Sequence, residues 1–163
     1  EYYRNKYNLF LTIGILYNHE SHLRPIKFVS RKIVNTAIKI KKGKAHKLEI
    51  GNLNSKIDWC FAGDFVKAYH AILLYKDPED FIISSGSIHK IKDFVKYVFN
   101  YLDLDWKKYV VENNKIIKRS FNGTLFGNSN KLFQKTGWKP ENNLESLATI
   151  MVDNELEMSK EKS

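Results

Sequence analysis

One cysteine, Cys60, stands among 163 residues, which rules out an intrachain disulfide. There is no charged-then-apolar leader and no apolar run of about 18 residues, the length needed to span a bilayer. These absences point to a reducing, cytoplasmic compartment and to no membrane partner. The eight glycines never fall into G-x-G-x-x-G or G-x-x-G-x-x-G, so the strand-turn-helix that cradles a dinucleotide pyrophosphate is missing from this stretch. No internal repeat, proline-rich linker or low-complexity tract occurs. The chain also lacks an initiator Met, and Glu1, Tyr2 and Tyr3 lead quickly into a strand-like run, so it reads as an excerpt. His19, Glu20 and His22 set two imidazoles around a carboxylate, but without a third spaced ligand no metal site is expected.

What is present excludes a disordered class: 43% of residues are hydrophobic and 13% aromatic, enough for one folded unit spanning 1–163 with a real core. The net charge is +9, and its densest run is Arg31 to Lys47. Such a run suits a polyanion: nucleic acid, an anionic membrane or a nucleotide pyrophosphate. Nucleic acid is disfavoured, because the aromatics fall at periodic core positions and not among the lysines where they would stack on bases.

Strand-like and helix-like segments alternate. Leu9 to Tyr17 is a nearly continuous apolar run, the pattern of a strand buried on both faces. Val29, Ile33, Ala37 and Ile40 space an amphipathic helix over 28–42, stopped by Gly43. A short strand over 47–50 and a turn over 51–55 follow. Next comes a helix over 62–75 with Phe65, Tyr69 and Ile72 on one face and Val66 and Leu73 beside them. Phe81 to Ser85 reads as a buried strand, and Ile91, Phe94, Val95, Val98 and Leu102 mark the clearest helix. Trp106 to Glu112 reads as an edge strand, 113–130 as loop, 131–136 as a short helix ending at Gly137, and Asn142 with Glu145 three residues on as the capping-box-like start of a last helix that carries Leu144, Leu147, Ala148 and Met151 and frays at its tail. Alternation of this kind implies a layered α/β unit with a parallel sheet.

Five segments in order, GILYNHES (14–21), FVSRKI (28–33), GNLNSKIDW (51–59), PEDFIISSG (78–86) and GWKP (137–140), resemble the GDP-mannose 4,6-dehydratase family of extended short-chain dehydrogenase/reductases. The resemblance covers nearly the whole chain. It implies the carboxyl-terminal part of such a fold: the last strands of a Rossmann-type parallel sheet plus the smaller α/β substrate-binding region, with the amino-terminal NADP-binding half absent. It also implies a lyase that uses NADP to take hydride from C4 of GDP-mannose, lose water across C5 and C6, and return hydride to C6. The product, GDP-4-keto-6-deoxymannose, leads toward GDP-fucose. The family's catalytic Tyr and Lys, its Thr and its acidic residue would all lie outside this chain. Tyr2 and Lys6 have the Tyr-x-x-x-Lys spacing, but their segment matches the stretch leaving the family's catalytic helix and carries no catalytic role.

By the same resemblance Asn18 faces the sugar or pyrophosphate, while His19 and Arg24 contact NADP. Arg24 is the one survivor of a pair of loop arginines, with Leu23 in place of the first, and is expected to be exposed. Lys32 falls in the first turn of a helix, where a cation and free backbone N–H groups suit a diphosphate. Arg119 resembles a late-loop arginine that clamps ribose or phosphate. A homo-oligomer, dimer or tetramer, is also implied. Three departures stand out: Ile57 replaces a basic residue, Phe61 replaces a His, and the late loop reads RSFNG. They leave open a related dehydratase or epimerase of altered substrate, or an inactive homologue.

Overall fold

The computed structural model describes residues 1–116 and 125–160. In chain order the elements are α1 (Tyr2–Tyr7), β1 (Ile13–Leu16), β2 (Asn18–Glu20), α2 (Val29–Lys41), β3 (Leu48–Ile50), β4 (Lys56–Ile57), β5 (Trp59–Phe61) and α3 (Ala62–Leu74). After these come β6 (Asp80–Ile83), β7 (His89–Lys90), α4 (Ile91–Tyr101), α5 (Trp106–Tyr109), β8 (Val110–Glu112), α6 (Asn130–Thr136) and α7 (Leu144–Lys160). They divide into two compact units, one of 1–19, 58–87 and 126–143, the other of 20–57, 88–125 and 144–163.

In the first unit β1 and β6 pair in parallel, with Gly14 opposite Phe81 and Leu16 opposite Ile83. The inner face of β6 (Phe81, Ile83) packs with Phe65, Ala68 and Ile72 of α3, Leu132 of α6, Cys60 and Trp138. Burying side chains of this size stabilises by about 1.5–3 kcal/mol each, which is why the 65-68-72 stripe decides how α3 lies. The strand at 13–16 is shorter than the apolar run suggests, and it is not buried on both faces: Ile13 and Ile15 remain 49% and 51% exposed. Among the described residues it pairs with β6 alone, so its other edge has no neighbouring strand. On α3, Val66, Tyr69 and Leu73 are likewise exposed, and Ala68 takes the core position between Phe65 and Ile72. Arg4 binds the Asp80 carboxylate, which the guanidinium holds below the usual Asp range, and its Nε donates to the Leu11 carbonyl at 2.6 Å.

In the second unit α2 and α4 each pack against α7 and against one another. Ile33, Val34 and Ala37 of α2, Phe94, Val95 and Val98 of α4, and Leu147, Ala148 and Met151 of α7 are all buried, as the 3.6-residue spacing dictates. Gly43, at φ +68°, closes α2 in a Schellman arrangement, with Lys44 N–H bonded to the Lys39 carbonyl at 2.8 Å and Gly43 N–H to Ile40 at 3.0 Å. Arg31 of α2 pairs with Glu155 of α7, whose other oxygen accepts from Asn35 at 3.0 Å. β3 pairs in parallel with β8, and β4 pairs antiparallel with β7.

The stretch expected as one edge strand at 106–112 is a turn of helix, α5, followed by β8. The Asp105 side chain caps that turn, accepting Lys107 N–H at 3.1 Å, and this local bond outweighs the β-propensity of Trp106 and Tyr109. The last helix runs on through Met158 and Ser159 to Lys160. No helix among the described residues is long and apolar enough to cross a membrane.

Candidate functional site

In parallel α/β sheets ligands lie beyond the carboxyl ends of the strands. In the first unit that edge carries Tyr17 to His19 after β1 and Ser84 to Ser87 after β6. Tyr17 is fixed at three points: its N–H donates to the Ile83 carbonyl at 3.0 Å, its phenol to the Phe126 carbonyl at 3.0 Å, and its own carbonyl lies 3.1 Å from Nδ1 of His19. Asn18 and His19 are exposed, and the His19 ring leans on Phe65 with centroids 5.1 Å apart.

Below this edge sits Asp58, buried to 2% exposure. Its carboxylate accepts from Ser85 N–H at 2.9 Å, Ser85 Oγ at 2.6 Å and Gly127 N–H at 3.1 Å. The Phe126–Gly127 peptide is therefore held at both ends, its carbonyl by Tyr17 and its N–H by Asp58. Glycine is required there: a Cβ on Gly127 would run into Ser84 and stand 2.9 Å from the Tyr17 ring. Asp64, in the first turn of α3, takes Asn142 N–H at 3.0 Å and Glu141 N–H at 3.2 Å, and its backbone carbonyl takes the Trp138 indole at 3.1 Å. Burial, with Asp64 second, pushes the neighbouring Cys60 thiol up to about 12, so it carries no nucleophilic chemistry near neutral pH.

In the second unit Glu20 is a buried carboxylate that accepts from Ser30 Oγ and from the Arg24 guanidinium. Arg24 also lies over the Phe28 ring at 3.8 Å, and its side chain is 24% exposed. It is not the free loop arginine that the sequence suggests; Glu20 and Phe28 hold it. Lys32 is half-buried in the first turns of α2, with its N–H on the Phe28 carbonyl at 2.8 Å. Its charge is the smallest of the influences holding Glu49 below the usual carboxylate range, after hydrogen bonds from Lys47 and Asn113. Ile57, at the position where a basic residue is expected, is buried in this unit's core. Arg119 lies outside the described residues. Tyr2 and Lys6 do meet, the ammonium donating to the phenol at 2.7 Å, but on the exposed side of a six-residue helix.

The family model described as GDP-mannose 4,6 dehydratase matches residues 1–151. The chain belongs to the GDP-mannose 4,6 dehydratase family. It is 39% identical over 158 residues to GDP-mannose 4,6 dehydratase 2 of Arabidopsis thaliana, covering 97% of this chain and 42% of that one. To the GDP-mannose 4,6 dehydratase of Homo sapiens it is 33% identical over 175 residues, covering 97% and 47%. The chain thus spans about half the length of the curated relatives it matches. Among solved structures it is similar to RMD from Pseudomonas aeruginosa complexed with NADPH (TM-score 0.83, 19% identity, 94% of this chain and 50% of that one). It is also similar to dTDP-glucose 4,6-dehydratase from Bacillus anthracis in complex with NAD (TM-score 0.79, 17% identity, 98% and 49%). At these identities the likeness shows the fold, that of the extended short-chain dehydratases and epimerases.

Asp58, Tyr17 and Gly127 are the residues that sequence reasoning missed at this edge. Asp58 and Tyr17 lie inside quoted family segments, yet nothing local marks them: their partners stand 69 and 109 positions away.

Proposed function

We propose that this chain is the sugar-nucleotide-facing half of an NADP-dependent GDP-mannose 4,6-dehydratase, and that the NADP-binding half lies in sequence outside it. The observation that carries this reading is the family match over 1–151, combined with Asn18 and His19 standing exposed at the carboxyl edge of the β1–β6 pair. The exposed apolar residues of β1 and the Val66-Tyr69-Leu73 stripe of α3 support it, since both offer surface for a neighbouring strand or helix to cover.

The residues present fit part of a nucleotide cofactor and not its cradle. Asn18 and His19 offer an amide and an imidazole, while Arg24 has one N–H group committed to Glu20. In this reading His19 and Arg24 hold NADP, which when bound accepts hydride and returns it. Asn18 and Lys32 orient the GDP-mannose diphosphate, Lys32 as a charge beside the free N–H groups of the first turn of α2. Arg119 joins them on resemblance alone. The parent protein acts in the cytoplasm, in nucleotide-sugar metabolism toward GDP-fucose, and assembles as a homo-oligomer.

A second reading, a related enzyme of altered sugar nucleotide, is favoured by one observation: Ile57 is apolar and buried where the family carries a cation. The natural full-length protein, incubated with GDP-mannose and NADP and followed by NMR of the sugar protons, separates the two. Appearance of GDP-4-keto-6-deoxymannose at ordinary enzyme rates supports the first. Turnover of another nucleotide sugar in preference supports the second, and turnover of neither rejects both.

A further inference from the structure

The contact between His19 Nδ1 and the Tyr17 carbonyl, at 3.1 Å, fixes more than a ring position. A carbonyl oxygen only accepts, so the proton of this hydrogen bond belongs to Nδ1. In the neutral ring the other nitrogen, Nε2, then carries a lone pair and accepts. Three further contacts hold that arrangement. The ring rests against Phe65, with an interplanar angle of 33°, and Tyr17 cannot easily rotate its carbonyl away, because its N–H is tied to Ile83 and its phenol to Phe126. The residue that carries this carbonyl is therefore anchored through both its backbone and its side chain.

We infer that Tyr17 is a positioning residue that holds His19 as the Nδ1–H tautomer, so that His19 presents Nε2 as a hydrogen-bond acceptor at the carboxyl edge. While the ring is neutral, the group it takes from a ligand is then an N–H or O–H donor, such as an amide or a hydroxyl, and not a phosphate, which has only acceptor oxygens to offer such a ring. This rests on the reading of His19 as a cofactor contact and sharpens it: phosphates are left to the cationic side chains, and His19 selects a neutral donor.

The tautomer is measured directly. Long-range proton–nitrogen correlation spectra of the 15N-labelled full-length protein, recorded at rising pH until they themselves show a neutral His19 ring, should show it protonated at Nδ1. Protonation at Nε2 overturns the inference, whatever the protein's activity. In the Tyr17→Phe variant, which loses only the phenol bond to Phe126, the His19 resonances should move toward a mixture of tautomers. An unmoved pattern removes Tyr17 from the positioning role. His19→Phe, which keeps the ring packing on Phe65, should weaken NADP binding in calorimetry by roughly two- to tenfold, the size of one neutral hydrogen bond. The same titration with the 3-acetylpyridine analogue, which lacks the amide N–H, separates the sources. Loss for NADP alone assigns the amide, and equal loss for both assigns a donor that the two share, a ribose hydroxyl or the adenine amine. No loss for either, in a protein that binds NADP, overturns the donor contact. A full-length wild type that binds no NADP defeats the cofactor reading and with it the donor contact, leaving only the tautomer to the spectra.

Discussion

The Asp58 carboxylate accepts the backbone N–H of Gly127 at 3.1 Å, joining positions 69 residues apart. Since the same carboxylate takes both donors of Ser85, one buried charge orders the ends of two segments at the candidate site. Asp58→Ala strands two backbone N–H groups and should cost about 2–5 kcal/mol of unfolding free energy. Asp58→Asn keeps the shape and one acceptor and should cost about half as much. Urea unfolding of the full-length variants checks the order; equal stability of wild type and Asp58→Ala would remove the clamp.

Gly127→Ala should destabilise by about 1–3 kcal/mol through overpacking against Ser84, and Ser84→Gly should recover part of that loss by removing the Cβ in the way. A double variant whose cost equals the sum of the singles would contradict the clash. Gly43→Ala meets no atom within 4 Å, and its cost, about 1 kcal/mol, comes from the positive φ alone, so no second-site change should relieve it.

Cys60, 1% exposed, should resist thiol reagents in the folded protein at pH 8 and react fully once urea is added. Its folded value of about 12 stands above the ordinary 9.0, so the native state holds that proton more tightly than the unfolded chain. This contribution to stability is fully present below pH 9 and is lost as pH rises from there toward 12. Cys60→Ser, whose hydroxyl does not titrate in that window, should flatten the alkaline limb of a stability-versus-pH curve.

Arg24→Ala should do more than weaken a ligand. It leaves the buried Glu20 carboxylate with Ser30 as its remaining side-chain partner, at a cost of about 2–4 kcal/mol. Adding Glu20→Gln should restore part of that stability without restoring NADP affinity. Thermal unfolding beside a cofactor titration of the single and double variants reads both effects. If the single variant unfolds like wild type, Arg24 is free for ligand and the pair is incidental.

Family and element types were legible because their signals are local. The NHES, FVSRK and GNL…DW segments occur in order, and α2 and α4 repeat apolar residues at the period of the helix they form. Gly43 and Gly137 mark helix ends because a left-handed residue favours glycine wherever it falls. Asn18 and His19 could be placed after a strand for the same reason.

Whether an apolar side chain is covered was not legible, since periodicity gives a face and not the neighbour that buries it: Ile15 and Val66 look like core and stand exposed. Trp106 to Tyr109 followed its Asp105 cap instead of its strand propensity, a contest between two local preferences that only the folded chain resolves. The ties of Asp58 to Gly127 and of Tyr17 to Phe126 join segments far apart in sequence, and nothing within a few residues of either end encodes them. Arg24 shows the same limit: a loop arginine beside a nucleotide motif reads as free, and only the fold shows Glu20, buried and bonded to Ser30, holding that guanidinium. Local chemistry wrote the elements and the family into the sequence, while the long-range hydrogen bonds that orient the candidate site exist only once the chain has closed upon itself.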